Sequence, residues 1–212
     1  MKNKIQLAII VFLLGIAAPG FGQSIELTPY GGWMFGGKFR AYEGEVKIGD
    51  NPNYGGILGI RNGNTILELQ YFRMYSEASL RVYGSFVGSE LFEITSEYYH
   101  IGATQLAPLS DVVEGFGSLS LGLTRYDPKT QVPVLGFIPG DEWFFSAMFG
   151  AGLRVNVSER VGLRFQGRLM APMRFSGLGL FCGTGSGCSV GAGSYAAIIQ
   201  GDFSGGLILK LN

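Results

Sequence analysis

Apolar and polar residues alternate with period two through long stretches of this chain, and the polar face carries charge in mid-run. From Val161 to Phe175 one face holds Val161, Leu163, Phe165, Gly167, Leu169, Ala171 and Met173, and the other holds Arg164, Gln166, Arg168 and Arg174. Trp143 to Val155 repeats the pattern, as do Leu119 to Thr124 and Ile199 to Leu211. Because successive side chains of a strand point to opposite faces, this is the mark of β-strands with two unlike sides. Such runs are read at 24–35, 53–61, 65–75, 96–106, 113–126, 142–155, 161–175 and 196–211, and no segment reads as a long amphipathic helix.

The connections sort into two kinds. Asn62-Gly63-Asn64, 107–112 and 156–160 are tight, whereas 36–52, 76–95, 127–141 and 176–195 are long. A strand that crosses a bilayer needs about 9–11 residues, and most of these runs reach that length. Mid-strand charge would be costly in the dry core of a soluble sandwich, but it is at home in the lumen of a barrel whose outer face meets hydrocarbon. Aromatic residues near run ends (Trp33, Phe35, Tyr71, Tyr75, Tyr98, Tyr99, Tyr126, Trp143, Phe144, Phe175) suit interfacial girdles. The expected fold is all-β: an eight-stranded antiparallel up-and-down transmembrane β-barrel. A soluble lipocalin-like barrel is its main rival.

Composition and the N-terminus narrow the class further. The chain is 47% hydrophobic and 15% charged, too apolar for disorder. Lys plus Arg and Asp plus Glu stand at 16 each, so no field attracts nucleic acid. Lys2 and Lys4 precede an apolar run from Ile5 to Ala18 that is too short to span a bilayer and reads as a secretory signal peptide over 1–22. Its removal leaves 23–212 with 14 basic and 16 acidic residues, a net charge of −2.

A signal peptide, eight alternating strands, three tight turns and four long loops, with Tyr30-Gly-Gly-Trp33-Met-Phe35-Gly-Gly as an opening strand, make this chain resemble the OmpA/OmpX-like family of small outer-membrane proteins. The resemblance implies the outer membrane of a Gram-negative bacterium, with the long loops outside the cell. The expected function is a structural or interaction role through those loops, and the apolar 127–141 loop motivates a place as accessory subunit of a larger envelope complex. A narrow pore is the alternative function, and a lipid-modifying enzyme is a more distant one.

Strand parity turns Glu26, Glu68, Glu114, Arg154, Arg164, Arg168, Asp202 and Lys210 into the lumen, with Gln70, His100 and Gln166. Four acids and four bases in a lumen just wide enough for side chains should pair and plug it. His100 has no serine two residues beyond it in the chain, so no catalytic group is expected, nor any metal or cofactor. Cys182 and Cys188 bracket Gly-Thr-Gly-Ser-Gly in the last long loop, where an oxidising compartment would join them in a disulfide. Val134, Leu135, Phe137 and Ile138 make the 127–141 loop unusually apolar, fit to cap the barrel mouth or to dock a partner. The expected partners are outer-membrane lipid and, through that loop, another envelope protein.

Overall fold

The computed structural model describes residues 23–40, 44–82, 90–129, 141–183, 187–196 and 199–211, with the backbone alone over 38–46, 80–92 and 174–198. The strands are β1 (Gln23–Phe35), β2 (Lys38–Arg40), β3 (Gly44–Ile48), β4 (Asn51–Asn62), β5 (Thr65–Val82), β6 (Glu90–Pro108), β7 (Val113–Pro128), β8 (Glu142–Asn156), β9 (Val161–Gly183), β10 (Gly187–Ala196) and β11 (Gln200–Lys210). Eight of them form a closed ring in the order β1, β4, β5, β6, β7, β8, β9, β11, every neighbour antiparallel. β1 and β11 shut the ring from Glu26↔Lys210 to Phe35↔Gly201.

The expected signal peptide lies outside the described residues, as do Val134, Leu135, Phe137 and Ile138. Three segments expected as loops are largely strand. β3 continues into β4 on the same partner, with Ile48 opposite Ala78 and Asn53 opposite Met74 on β5. Gly49 N donates to Glu77 O at 2.9 Å between them, so the ladder barely breaks. β5 and β6 pair to Leu80↔Glu90, far past the expected end at Tyr75. β10 pairs the outer half of β9 and β11 the inner half. The chain keeps alternating beyond the bilayer's thickness, and a strand ends where its partner ends, not where hydrocarbon does.

The other end is closed by tight turns. Gly63 sits at φ +59°, a left-handed conformation that favours glycine, and Asn62 faces Thr65 across the turn. The two remaining turns share one device. In Leu109-Ser-Asp-Val-Val113 the Ser110 hydroxyl accepts from Val113 N at 3.1 Å, and in Val157-Ser-Glu-Arg-Val161 Ser158 accepts from Val161 N at 3.1 Å. A short hydroxyl side chain thereby satisfies an amide that the turn leaves unpaired.

Burial is inside out relative to a soluble protein. Ile101 is 58% exposed and Phe149 59%, in company with Leu67, Leu69, Leu119, Leu121, Leu153, Phe165, Leu169 and Leu207 on the outer face. Arg154 is 0% exposed, and Glu26, Glu68, Arg164, Arg168 and Asp202 are buried in the lumen. Trp33, Phe35, Tyr54, Tyr71, Tyr75, Tyr99 and Trp143 face outward near the end opposite the tight turns, here the hairpin end. Tyr98 and Tyr126, expected in that girdle, are buried in the lumen, and Phe144 packs against the same cluster. The Phe175 side chain lies outside those described.

Leu121 lies in the middle of the outer apolar band. Leu121→Arg is expected to destabilise the barrel by about 2–4 kcal/mol when refolded into lipid vesicles under a urea gradient. In a soluble barrel an exposed leucine would tolerate the change.

Candidate functional site

The lumen is filled in layers. Nearest the tight turns, Arg61 forks Glu114 with bonds of 3.2 and 2.8 Å, and Asn156 Nδ2 reaches the same carboxylate at 3.4 Å. Arg154 Nη2 donates to Glu26 Oε2 at 2.6 Å while its Nε stands 3.8 Å from Glu114. Lys210 is half-buried, and its ammonium donates to Asn156 Oδ1 at 3.0 Å rather than to a carboxylate. Ile66, Leu106 and Phe116 pack as a small apolar patch in the lumen.

One layer up, Arg164 grips Glu68 at 2.5 and 3.2 Å, and Gln70 donates to the same carboxylate at 2.9 Å. Arg164 Nε also bonds Gln166 at 2.8 Å, and its guanidinium lies 4.4 Å over the Phe116 ring. Arg168 then donates through both Nε and Nη2 to Asp202, which accepts from Asn53 Nδ2 at 2.6 Å. The Arg168 plane is held between Tyr30, 4.7 Å away and accepting a 2.6 Å bond, and Phe72 at 4.2 Å. Three of these ion pairs span the barrel. Arg164–Glu68 joins β9 to β5, directly opposite in the ring, while Arg154–Glu26 joins β8 to β1 and Arg61–Glu114 joins β4 to β7.

Parity alone did not foretell what fills the hairpin end. Met34, Ile48, Met74, Ala78, Ile94, Met148 and Met170 are buried there as an apolar cluster. Phe72 and Tyr98 stack at 4.5 Å, and Tyr98 and Tyr126 both donate to Gln200 Oε1, Tyr126 at 2.9 Å. The inward face read as polar from alternation is therefore largely apolar toward the hairpin end.

His100 gains partners that chain spacing hides. Its Nε2 lies 2.8 Å from Ser146 Oγ on β8 and its Nδ1 3.3 Å from Ser120 Oγ on β7, with Thr124 donating onward to Ser146 at 2.9 Å. Gly122 makes room for the imidazole, since a Cβ there would stand 2.9 Å from His100 Cγ. Both ring nitrogens are taken by hydroxyls and the group is buried in the lumen, away from the outer face. Among the described residues no cluster of three metal-ligating side chains occurs.

Neisserial surface protein A (NspA) superposes with a TM-score of 0.53 over 90% of this chain and 97% of its own, at 14% identity. OprG of Pseudomonas aeruginosa, an outer membrane protein, gives 0.55 over 89% and 96%, at 12% identity. The fold is that of a small outer-membrane β-barrel. No protein-family model and no curated protein sequence matches the chain.

In this barrel Asp202 depends on Arg168. Arg168→Met should cost about 3–5 kcal/mol, because it leaves a buried carboxylate with Asn53 as its one remaining donor. Adding Asp202→Leu should recover most of that loss. Urea unfolding of the single and double variants would decide, and strict additivity would exclude the coupling.

Proposed function

We propose that the protein is an integral outer-membrane barrel with a lumen plugged by its own side chains, acting through the strands and loops that rise from its hairpin end. The observation that carries this reading is the continuous filling of the interior. Cross-lumen ion pairs occupy one half and the Met34–Met74–Met148–Met170 cluster the other. Dehydrated apolar packing in series with paired charges leaves a permeating ion neither water nor a vacant counter-charge.

The hairpin end offers the interaction surface. β5 and β6 rise together beyond the girdle, β2 and β3 widen that sheet, and β9 with β10 forms a second ribbon. Contacts concentrate on such projections from a rigid scaffold. The apolar 127–141 segment, with Val134, Leu135, Phe137 and Ile138, is the stretch best suited to meet a second envelope protein. Export by a cleaved signal peptide over 1–22 would deliver the chain with its tight turns toward the periplasm. Among the described residues the His100–Ser146 contact has no acidic partner, and it faces the lumen, where it serves the interior packing.

Cys182 and Cys188 are directly opposite in the β9–β10 register. Facing residues of an antiparallel pair have Cα atoms about 4.5 or 5.5 Å apart, and both separations lie within the span a disulfide bridges. Exchange with an oxidised dithiol carrier would transfer two electrons and two protons from the cysteine pair to the carrier and pin the ribbon's register. The protein from an envelope preparation, denatured without reductant, is expected to take up no iodoacetamide, and two equivalents after reduction.

Reconstitution into a planar bilayer tests the plug. No steady conductance is expected. A stable ohmic current that changes with Arg164→Gln or Arg168→Gln would replace the plugged reading with a narrow pore.

A further inference from the structure

The outer face at the hairpin end carries a cation that makes no ion pair with the described residues. Register aligns Tyr54, Arg73, Glu97, Arg125 and Trp143 in one row across β4 to β8. Toward the tight turns the next outward row is Tyr71, Tyr99 and Leu123, followed by Leu69, Ile101 and Leu121, so the charged row lies at the edge of the apolar band.

Within that row Glu97 already accepts three bonds. Its Oε1 accepts from Tyr71 at 3.1 Å, and its Oε2 accepts from Arg125 at 3.2 Å and Tyr99 at 3.4 Å. Arg125 is further matched by Asp141 at 3.3 Å and Asp127 at 3.8 Å. Arg73 has no such match. Among the described residues it makes no hydrogen bond and no ion pair, and its Nε is buried without a partner. Its guanidinium is clamped by aromatic rings, 4.2 Å from the centroid of Tyr75 and 6.0 Å from that of Tyr54. Thr95 stands opposite Tyr75 on β6, diagonal to Arg73, and its hydroxyl is likewise buried and unpartnered. Glu77, on the same face of β5, is four residues farther out and makes no ion pair with Arg73.

A guanidinium fixed against two tyrosines at the rim of hydrocarbon is pre-organised for a planar, two-point acceptor. Phosphate is the anion that membrane lipid places at this depth, and its charge-assisted bonds to arginine are short and strong. We infer that Arg73, held by Tyr54 and Tyr75 and flanked by Thr95, is a binding site for the phosphate of a lipid in the leaflet around the hairpin end. The inference rests on the membrane-barrel reading. The lipid's chains would run down the outer wall over Leu69 and Ile101, and its phosphate would supply the counter-charge that Glu97 cannot.

The full chain, folded in a neutral detergent and titrated with phosphatidic acid or with diacylglycerol of the same chains, tests this by native mass spectrometry. One phosphatidic acid should be retained about tenfold more tightly than the diacylglycerol. Arg73→Gln should reduce that preference to near unity, and Arg73→Lys should keep part of it. Equal retention by the wild type and Arg73→Gln would overturn the site. Displacement of phosphatidic acid by millimolar inorganic phosphate, without dependence on chain length, would make it a free-anion site and overturn the lipid assignment. The same samples, run on a gel with and without boiling, report the fold. Loss of the heat-dependent shift in the wild type would sink the barrel reading itself, whereas a shift retained in every variant ties any change in lipid retention to Arg73 alone.

Discussion

Charge pairing across a narrow lumen is the interaction on which this barrel depends. Eight strands enclose only enough room for side chains, and an unpaired ion in that space would cost several kcal/mol. Arg164–Glu68, Arg154–Glu26 and Arg61–Glu114 meet the requirement by joining strands three or four places apart in the ring. Each pair therefore does two things at once. It sets opposite desolvated charges against each other, and it braces walls that hydrogen-bonded ladders connect only to their immediate neighbours. Glycine is the complement of this arrangement: beside Phe116, Tyr30 and His100 the lumen has space only because positions such as Gly152, Gly206 and Gly122 carry no side chain.

The architecture was legible in the sequence because side-chain direction along a strand is a local property. Alternation at Leu119 to Thr124 or Val161 to Met173 reveals its two faces without reference to any other segment. The assignment of Glu26, Glu68, Glu114, Arg154, Arg164, Arg168 and Asp202 to one side needed only that. What alternation lacks is depth. Met74 and Gln70 share a face of β5, yet one lies in the apolar cluster and the other bonds Glu68. Tyr98 and Tyr99 are adjacent in sequence, and only their parity separates a lumen residue from a girdle residue.

Contacts between strands were the illegible part. His100 meets Ser120 and Ser146 because the turns set the stagger of β6, β7 and β8, and a shift of one residue would part them. The unanswered Arg73 has the same origin, since Glu97 is opposite it but is claimed from the other side by Arg125. Strand ends were misjudged for a different reason. The expected runs were bounded where alternation is clearest, while β5, β6 and β9 persist as long as a neighbour offers hydrogen bonds.

The seam between β1 and β11 has a consequence for the order of events in the cell. Met34 and Asp202 are partners separated by most of the chain, and until β11 arrives β1 offers one unpaired edge. Contacts of such sequence separation form late and slowly. Seven strands without the eighth are an open sheet with its charges unbraced and its apolar face in water, so no partial barrel is a stable resting point. Closure of the ring therefore waits on the last strand, and the brace across the lumen and the sealed outer wall are completed together.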